Sequence, residues 1–184
     1  KASLVEKKSA FKNWDLYTAR AVIDGDSVVL KGDPLPPNPN AGYRLSAADS
    51  TKEIELAFYM DEAYDNKIPV NGITDVYTHR LISVRAGIKE IIDIAIYPNG
   101  VCRVRYPERE YYHPKGHELG RVEFNRWHTI KIKLSEDTIG AQLENNEAVV
   151  LPRKVMENPD ILFFSTGIFQ MGEWKIKPVR IVTD

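Results

Sequence analysis

Cysteine is nearly absent from this 184-residue chain, where Cys102 stands alone. An intrachain disulfide and a cysteine-based zinc site are both excluded. Long hydrophobic runs are missing too, and nothing approaches the ~18 apolar residues of a spanning helix. The sequence therefore implies no membrane insertion. Charge of one sign is also lacking, with 25 Lys+Arg against 26 Asp+Glu and a formal net charge of -1. Such a balance has no broad basic footprint, so nucleic acid is not expected as a partner. The chain contains no Asn-X-Ser/Thr sequon, no Gly-X-Ser-X-Gly elbow, no Walker loop and no Gly-X-Gly-X-X-Gly turn.

What is present suits one folded domain. Hydrophobic residues make up 43% and charged residues 28%, the balance of a globular chain with its own core. Residues 1–10 read as a polar lead-in, and 11–184 as a single domain. Short alternating runs recur between turn signals. Residues 17–23 and 27–31 flank Asp24-Gly25-Asp26, the spacing of a hairpin. Residues 33–40 carry four prolines and form a loop. A short strand over 42–47 follows. In 53–60, Ile54, Leu56, Phe58 and Met60 share one face, while Glu53, Glu55, Ala57 and Tyr59 share the other.

Further runs at 78–86, 91–97 and 101–106 follow, the last two joined by Pro98-Asn99-Gly100. Helical spacing of Ile88, Ile91, Ile92, Ala95 and Ile96 competes over 88–96. Isoleucine enrichment and the closing turn favour a strand. Residues 107–120 read as a long polar and aromatic loop. Strands are expected at 126–134, 138–144, 147–151, 161–166 and 173–182. Asn145-Asn146 is read as a hairpin turn and 152–160 as room for one helical turn. About a dozen strands without a long helix predict an all-β, two-sheet antiparallel sandwich.

The stretch Asn125-Arg-Trp-His-Thr-Ile-Lys-Ile-Lys-Leu134, followed by a hairpin through Asn145-Asn146, resembles concanavalin A-like, laminin G-like jelly rolls. In that superfamily a strand opens with Trp, alternates, and runs into a hairpin. A last strand returns beside the N-terminus, as 178–183 would. The resemblance implies two facing sheets, one of them curved. It spans lectins, carbohydrate-binding modules, glycoside hydrolases, polysaccharide lyases and adhesion domains, and fold does not choose among them. With the start at Lys1 rather than Met, it sets the expectation of a secreted, periplasmic or cell-surface protein, most plausibly bacterial.

Enzyme chemistry finds few candidates. Hydrolases of this fold carry Glu-X-Asp-X-X-Glu on one strand. Glu53 and Glu55 share a face but lack the third acid, and Glu90 and Asp93 fall on opposite faces. The arginine-rich strand and Gln-X-His motif of the alginate lyases are absent. His113 and His117 flank Pro114 and Gly116, which suits a loop and not a helical metal pair. Asp24-Gly25-Asp26 could offer oxygens to a structural calcium or simply make the hairpin turn. No other cofactor is implied.

Strand parity points instead to a polar face. Glu55, Tyr59, Arg85, Asp93, Tyr97, Arg103 and Arg105 all oppose the core side of their strands. If those strands are neighbours, arginine forks and tyrosine rings meet on one surface, with Tyr111, Tyr112 and His113 walling one end. That combination suits an acidic or hydroxyl-rich oligo- or polysaccharide. The same residues also suit a solvent face with cross-strand ion pairs such as Asp93 with Arg103. Trp127, Trp174 and Trp14 read as packing residues, and Cys102 as buried beside Val104 and Tyr106. The expected role is a non-catalytic, lectin-like glycan-binding module. A carbohydrate-active enzyme of the same fold, or a protein-binding adhesion domain, is the alternative.

Overall fold

Alternation is clearest in the longest strands. In the ten-residue strand of residues 51–60, every second residue from Ile54 onward is buried, and Ile54, Leu56, Phe58 and Met60 are at most 1% exposed. Burying each such side chain contributes roughly 1.5–3 kcal/mol. The computed structural model describes residues 11–32, 39–46, 48, 50–61, 80–106, 116–166, 172–177 and 179–183. Among them lie fifteen strands and no helix.

In chain order the strands are β1 (Trp14–Leu16), β2 (Ala21–Asp24), β3 (Ser27–Lys31), β4 (Asn40–Arg44), β5 (Thr51–Met60), β6 (Arg80–Ala86), β7 (Lys89–Ile96) and β8 (Val101–Arg105). Then come β9 (His117–Arg121), β10 (Arg126–Leu134), β11 (Thr138–Leu143), β12 (Val149–Pro152), β13 (Ile161–Ser165), β14 (Glu173–Ile176) and β15 (Arg180–Thr183). A seven-stranded sheet runs β1-β4-β13-β6-β7-β8-β9. An eight-stranded sheet runs β12-β11-β10-β5-β14-β3-β2, with β15 also paired to β5. Every pairing is antiparallel. The two sheets enclose one apolar core, where Phe164 meets Trp174 edge-on at 5.9 Å and Trp14 at 5.3 Å. The expected all-β sandwich is the observed one.

Turn chemistry explains the hairpins. At Pro98-Asn99-Gly100 the Gly100 N–H donates to the Tyr97 carbonyl at 2.9 Å, and the Asn99 side chain accepts from Val101 N–H at 3.0 Å. Gly100 sits at φ 83, a conformation glycine adopts without Cβ strain. This hairpin makes 88–96 a strand and not a helix.

Five local expectations need correction. Residues 117–120 of the anticipated loop belong to β9, paired to β8 through a bulge. Residues 153–160 hold no helical turn. The Arg153 side chain instead donates to the carbonyls of Ser135, Val155, Met156 and Glu157, fixing an irregular path. The β11–β12 turn centres on Glu144 and Asn145, with Asn146 N–H bonded to the Leu143 carbonyl and Glu144 at φ 50. The Asn146 side chain is drawn away to the Leu119 carbonyl at 3.0 Å. Residues 173–182 are two strands: β14 pairs with one end of β5 and β15 with the other. The final strand therefore lies beside β5 and not beside β1.

Candidate functional site

Parity places Ser83, Arg85, Asp93, Ala95, Arg103, Arg105 and Phe163 on the side of the seven-stranded sheet that faces away from the core. Register then builds a row. Gly42 stands opposite Phe163, Phe163 opposite Ser83, Ser83 opposite Asp93, and Asp93 opposite Arg105. One step along, Ala95 faces Arg103, and Arg103 faces Glu118. The anticipated Asp93–Arg103 pairing is thus replaced by Asp93 with Arg105.

Asp93 is the unusual member of the row. It is only 4% exposed although it faces away from the core. Its Oδ1 is buried and has no hydrogen-bond partner among the described residues. Burial pushes its pKa up to about 6; the Ser83 hydrogen bond opposes that, Glu90 adds to it, and Arg105 and Arg85 pull it down. A buried carboxyl with an unpartnered acceptor is costly to keep.

An aromatic and cationic wall stands beside it. The Arg85 guanidinium lies 4.4 Å from the Phe163 ring centroid, donates from Nε to Ser83 Oγ at 3.0 Å, and meets Glu90 Oε1 at 3.1 Å. Tyr17 lies 6.1 Å from Phe163 with the rings tilted by 31°. Its hydroxyl packs over Gly42, where an added Cβ would come within 2.6 Å of it. Tyr17 is 51% exposed, so its ring is open to a partner. Partial burial, followed by Asp15, raises its pKa, while Arg44 and Arg85 oppose the shift.

The structure brings together five of the anticipated residues, Arg85, Asp93, Tyr97, Arg103 and Arg105, on consecutive strands. Tyr97 is not a stacking surface, however. It is 6% exposed and packs with Ala95, Val101 and Leu81 in a small separate cluster. Glu55 and Tyr59 are on the other sheet altogether, because β5 pairs with β10, β14 and β15. There Tyr59 packs against Trp127 at 5.7 Å, so Trp127 belongs to an outer face and not to the core. Tyr111, Tyr112 and His113 lie outside the described residues.

Sequence reasoning missed Tyr17 and Phe163. The signal for Phe163 was available, since Leu162 and Phe164 take the core positions of its strand. Asp24-Gly25-Asp26 forms the β2–β3 turn, with Asp26 accepting from the Ser27 hydroxyl at 3.0 Å. Among the described residues no three His, Cys, Asp or Glu side chains gather as a metal site would require.

No family model matches the chain, and no curated protein matches it either. Solved structures do. A sialidase superposes with a TM-score of 0.68 at 13% identity, over 94% of this chain and 17% of the sialidase. An alginate lyase from Polysaccharide Lyase family 7 gives a TM-score of 0.60 at 13% identity, covering 97% of this chain and 98% of the lyase. This chain has the concanavalin A-like jelly-roll fold. A carbohydrate binding module from Bacillus subtilis shares the jelly roll at a TM-score of 0.59 and 7% identity, covering 91% and 93% of the two chains. The jelly roll described here thus spans about a sixth of the sialidase, but nearly the whole of the lyase and the binding module.

Proposed function

We propose that this jelly roll is a glycan-binding domain whose site is the outer face of the seven-stranded sheet, centred on Asp93. The observation that carries the proposal is the buried Asp93 carboxyl, whose Oδ1 has no hydrogen-bond partner among the described residues, set between Ser83 and Arg105 and next to an aromatic wall. Sugar hydroxyls give and take hydrogen bonds, and a desolvated carboxylate is a strong acceptor for them. The Tyr17 ring supplies the flat surface for a pyranose. Arg85, Arg103 and Arg105 line the same face and suit a ligand bearing carboxylate or sulfate groups. The names of the similar structures, a carbohydrate binding module among them, support the carbohydrate reading.

A carbohydrate-active enzyme is the second reading, and one observation favours it. Burial pushes the Asp93 pKa up to about 6, toward the range that suits a general acid or base. Product release decides between the two readings. Retention on an insoluble polysaccharide without new reducing ends or unsaturated uronate supports a binding module; either product supports the enzyme. In both cases Asp93→Asn and Tyr17→Ala should abolish the interaction detected on a glycan array. Undiminished retention of both variants would refute the site. A secreted or cell-surface location completes the proposal, and a full-length gene product without an export signal would refute that part.

A further inference from the structure

The outer face of the eight-stranded sheet holds a second group of charged side chains beside aromatic rings. An open groove of about 380 Å³ is lined there by Glu55, Arg126, Thr129, Lys131, Glu144 and Asn145. That volume lies within the roughly 300–1,000 Å³ of small-molecule sites. Thr129 and Lys131 project from β10, and register sets Lys131 directly opposite Glu55 of β5. Lys131 Nζ stands 3.6 Å from Glu55 Oε2 and 3.7 Å from Glu53 Oε1, and Arg180 Nη1 stands 3.7 Å from Glu55 Oε2. All three separations exceed the roughly 2.7–3.2 Å of a hydrogen bond. Lys131 and Glu55 are therefore matched in charge but not closed on each other. Arg126 differs, being held by Glu123 at 2.8 Å and Glu144 at 3.3 Å.

Two cations and two carboxylates line this groove, so a ligand of net charge gains little from it. A hydroxyl gains at both ends, because it accepts from Lys131 and donates to Glu55. Up-strand from Thr129 on the same face lies Trp127, packed against Tyr59 and covered by Lys177 Nζ at 4.3 Å. Both residues are half-buried and a single cation–π contact is weak, so Lys177 can yield to a sugar ring.

We propose that this groove is a second sugar site, taking one neutral pyranose unit. Its hydroxyls lie between Lys131 and Glu55 with Thr129 and Asn145 at the rim, and its apolar face turns toward Trp127. The site stands independently of the one at Asp93. If that reading also holds, the two sites open on opposite faces of the sandwich. One chain then links two glycan strands, and avidity on an insoluble polysaccharide exceeds either single affinity.

The test is a titration of the isotope-labelled chain with the methyl glycosides of glucose, galactose, mannose and N-acetylglucosamine, followed by amide NMR shifts. At least one should give saturable shifts at Thr129, Lys131 and Asn145 in the millimolar range. The paired change Glu55→Met with Lys131→Met removes acceptor and donor together without unbalancing charge, and should weaken binding at least about tenfold. Thr129→Lys, which fills the groove, should do the same, so the test does not rest on one variant. Asp93→Asn should leave these shifts unchanged. Absence of saturable shifts at the three amides with all four sugars, or full affinity in both groove variants, overturns the proposal. Shifts confined to Ser83 and Asp93 would defeat this site and leave the proposed function standing; shifts confined to Thr129, Lys131 and Asn145 would support this site, while the Asp93 site stands or falls by its own variants on the glycan array.

Discussion

Asp93→Asn should make the protein more stable at pH 8 while abolishing its binding. In the folded chain burial raises the Asp93 pKa from the model-compound 3.8 to about 6. A pKa raised on folding means that the folded state holds the proton more tightly than the unfolded state. The stability linked to that proton is complete below about pH 3.8 and is lost as pH rises through about 6. The full shift is worth about 3 kcal/mol, with the opposing pull of Arg105 and Arg85 already included. Asparagine keeps the shape and cannot ionise, so it escapes the loss.

For a domain of this size about 3 kcal/mol corresponds to roughly 6–12 °C in Tm, an upper bound because the asparagine amide must find its own partners. Thermal unfolding of both proteins should be followed from about pH 3 to 8.5. The curves should nearly coincide at the acid end, separate as pH rises from 3.8 through about 6, and run parallel above that. A Tm difference that does not change with pH, or a variant less stable at pH 8, would refute the argument. A variant that is stabilised and inactive is the mark of a carboxyl retained for binding.

Three further outcomes follow from the same geometry. Gly42→Ala should weaken glycan binding several-fold and cost about 1 kcal/mol of stability, because its Cβ would meet the Tyr17 hydroxyl at 2.6 Å and Ile161 Cδ1 at 3.0 Å; a binding isotherm and a melting curve check both. Cys102 is fully buried and desolvation pushes its pKa up to about 12, so a thiol reagent should label it only as fast as the native state opens; rapid native labelling would contradict its place in the core. The double change Arg103→Ala with Arg105→Ala should remove binding of acidic glycans and lower Tm by only a few degrees, since both side chains are half-buried on the outer face and not in the core; unfolding of this variant would show the arginines to be structural.

Local chemistry is what the sequence by itself determined. Alternation is written into β5 and β10 residue by residue, because a strand between a core and an outer face must change polarity at every step. Pro98-Asn99-Gly100 likewise specified the β7–β8 hairpin, and with it the neighbourhood of Asp93, Arg103 and Arg105. Which strands lie side by side across the chain is a different matter. β13 enters between β4 and β6, which places Phe163 beside Ser83; β5 joins β10, β14 and β15, which carries Glu55 and Tyr59 to the opposite sheet. Parity records which way a side chain points relative to its own strand but says nothing about which sheet that strand joins. Burial of Asp93 and Tyr97 had the same origin. Their parity marked them as facing away from the core, and only packing around that face decided that water does not reach them.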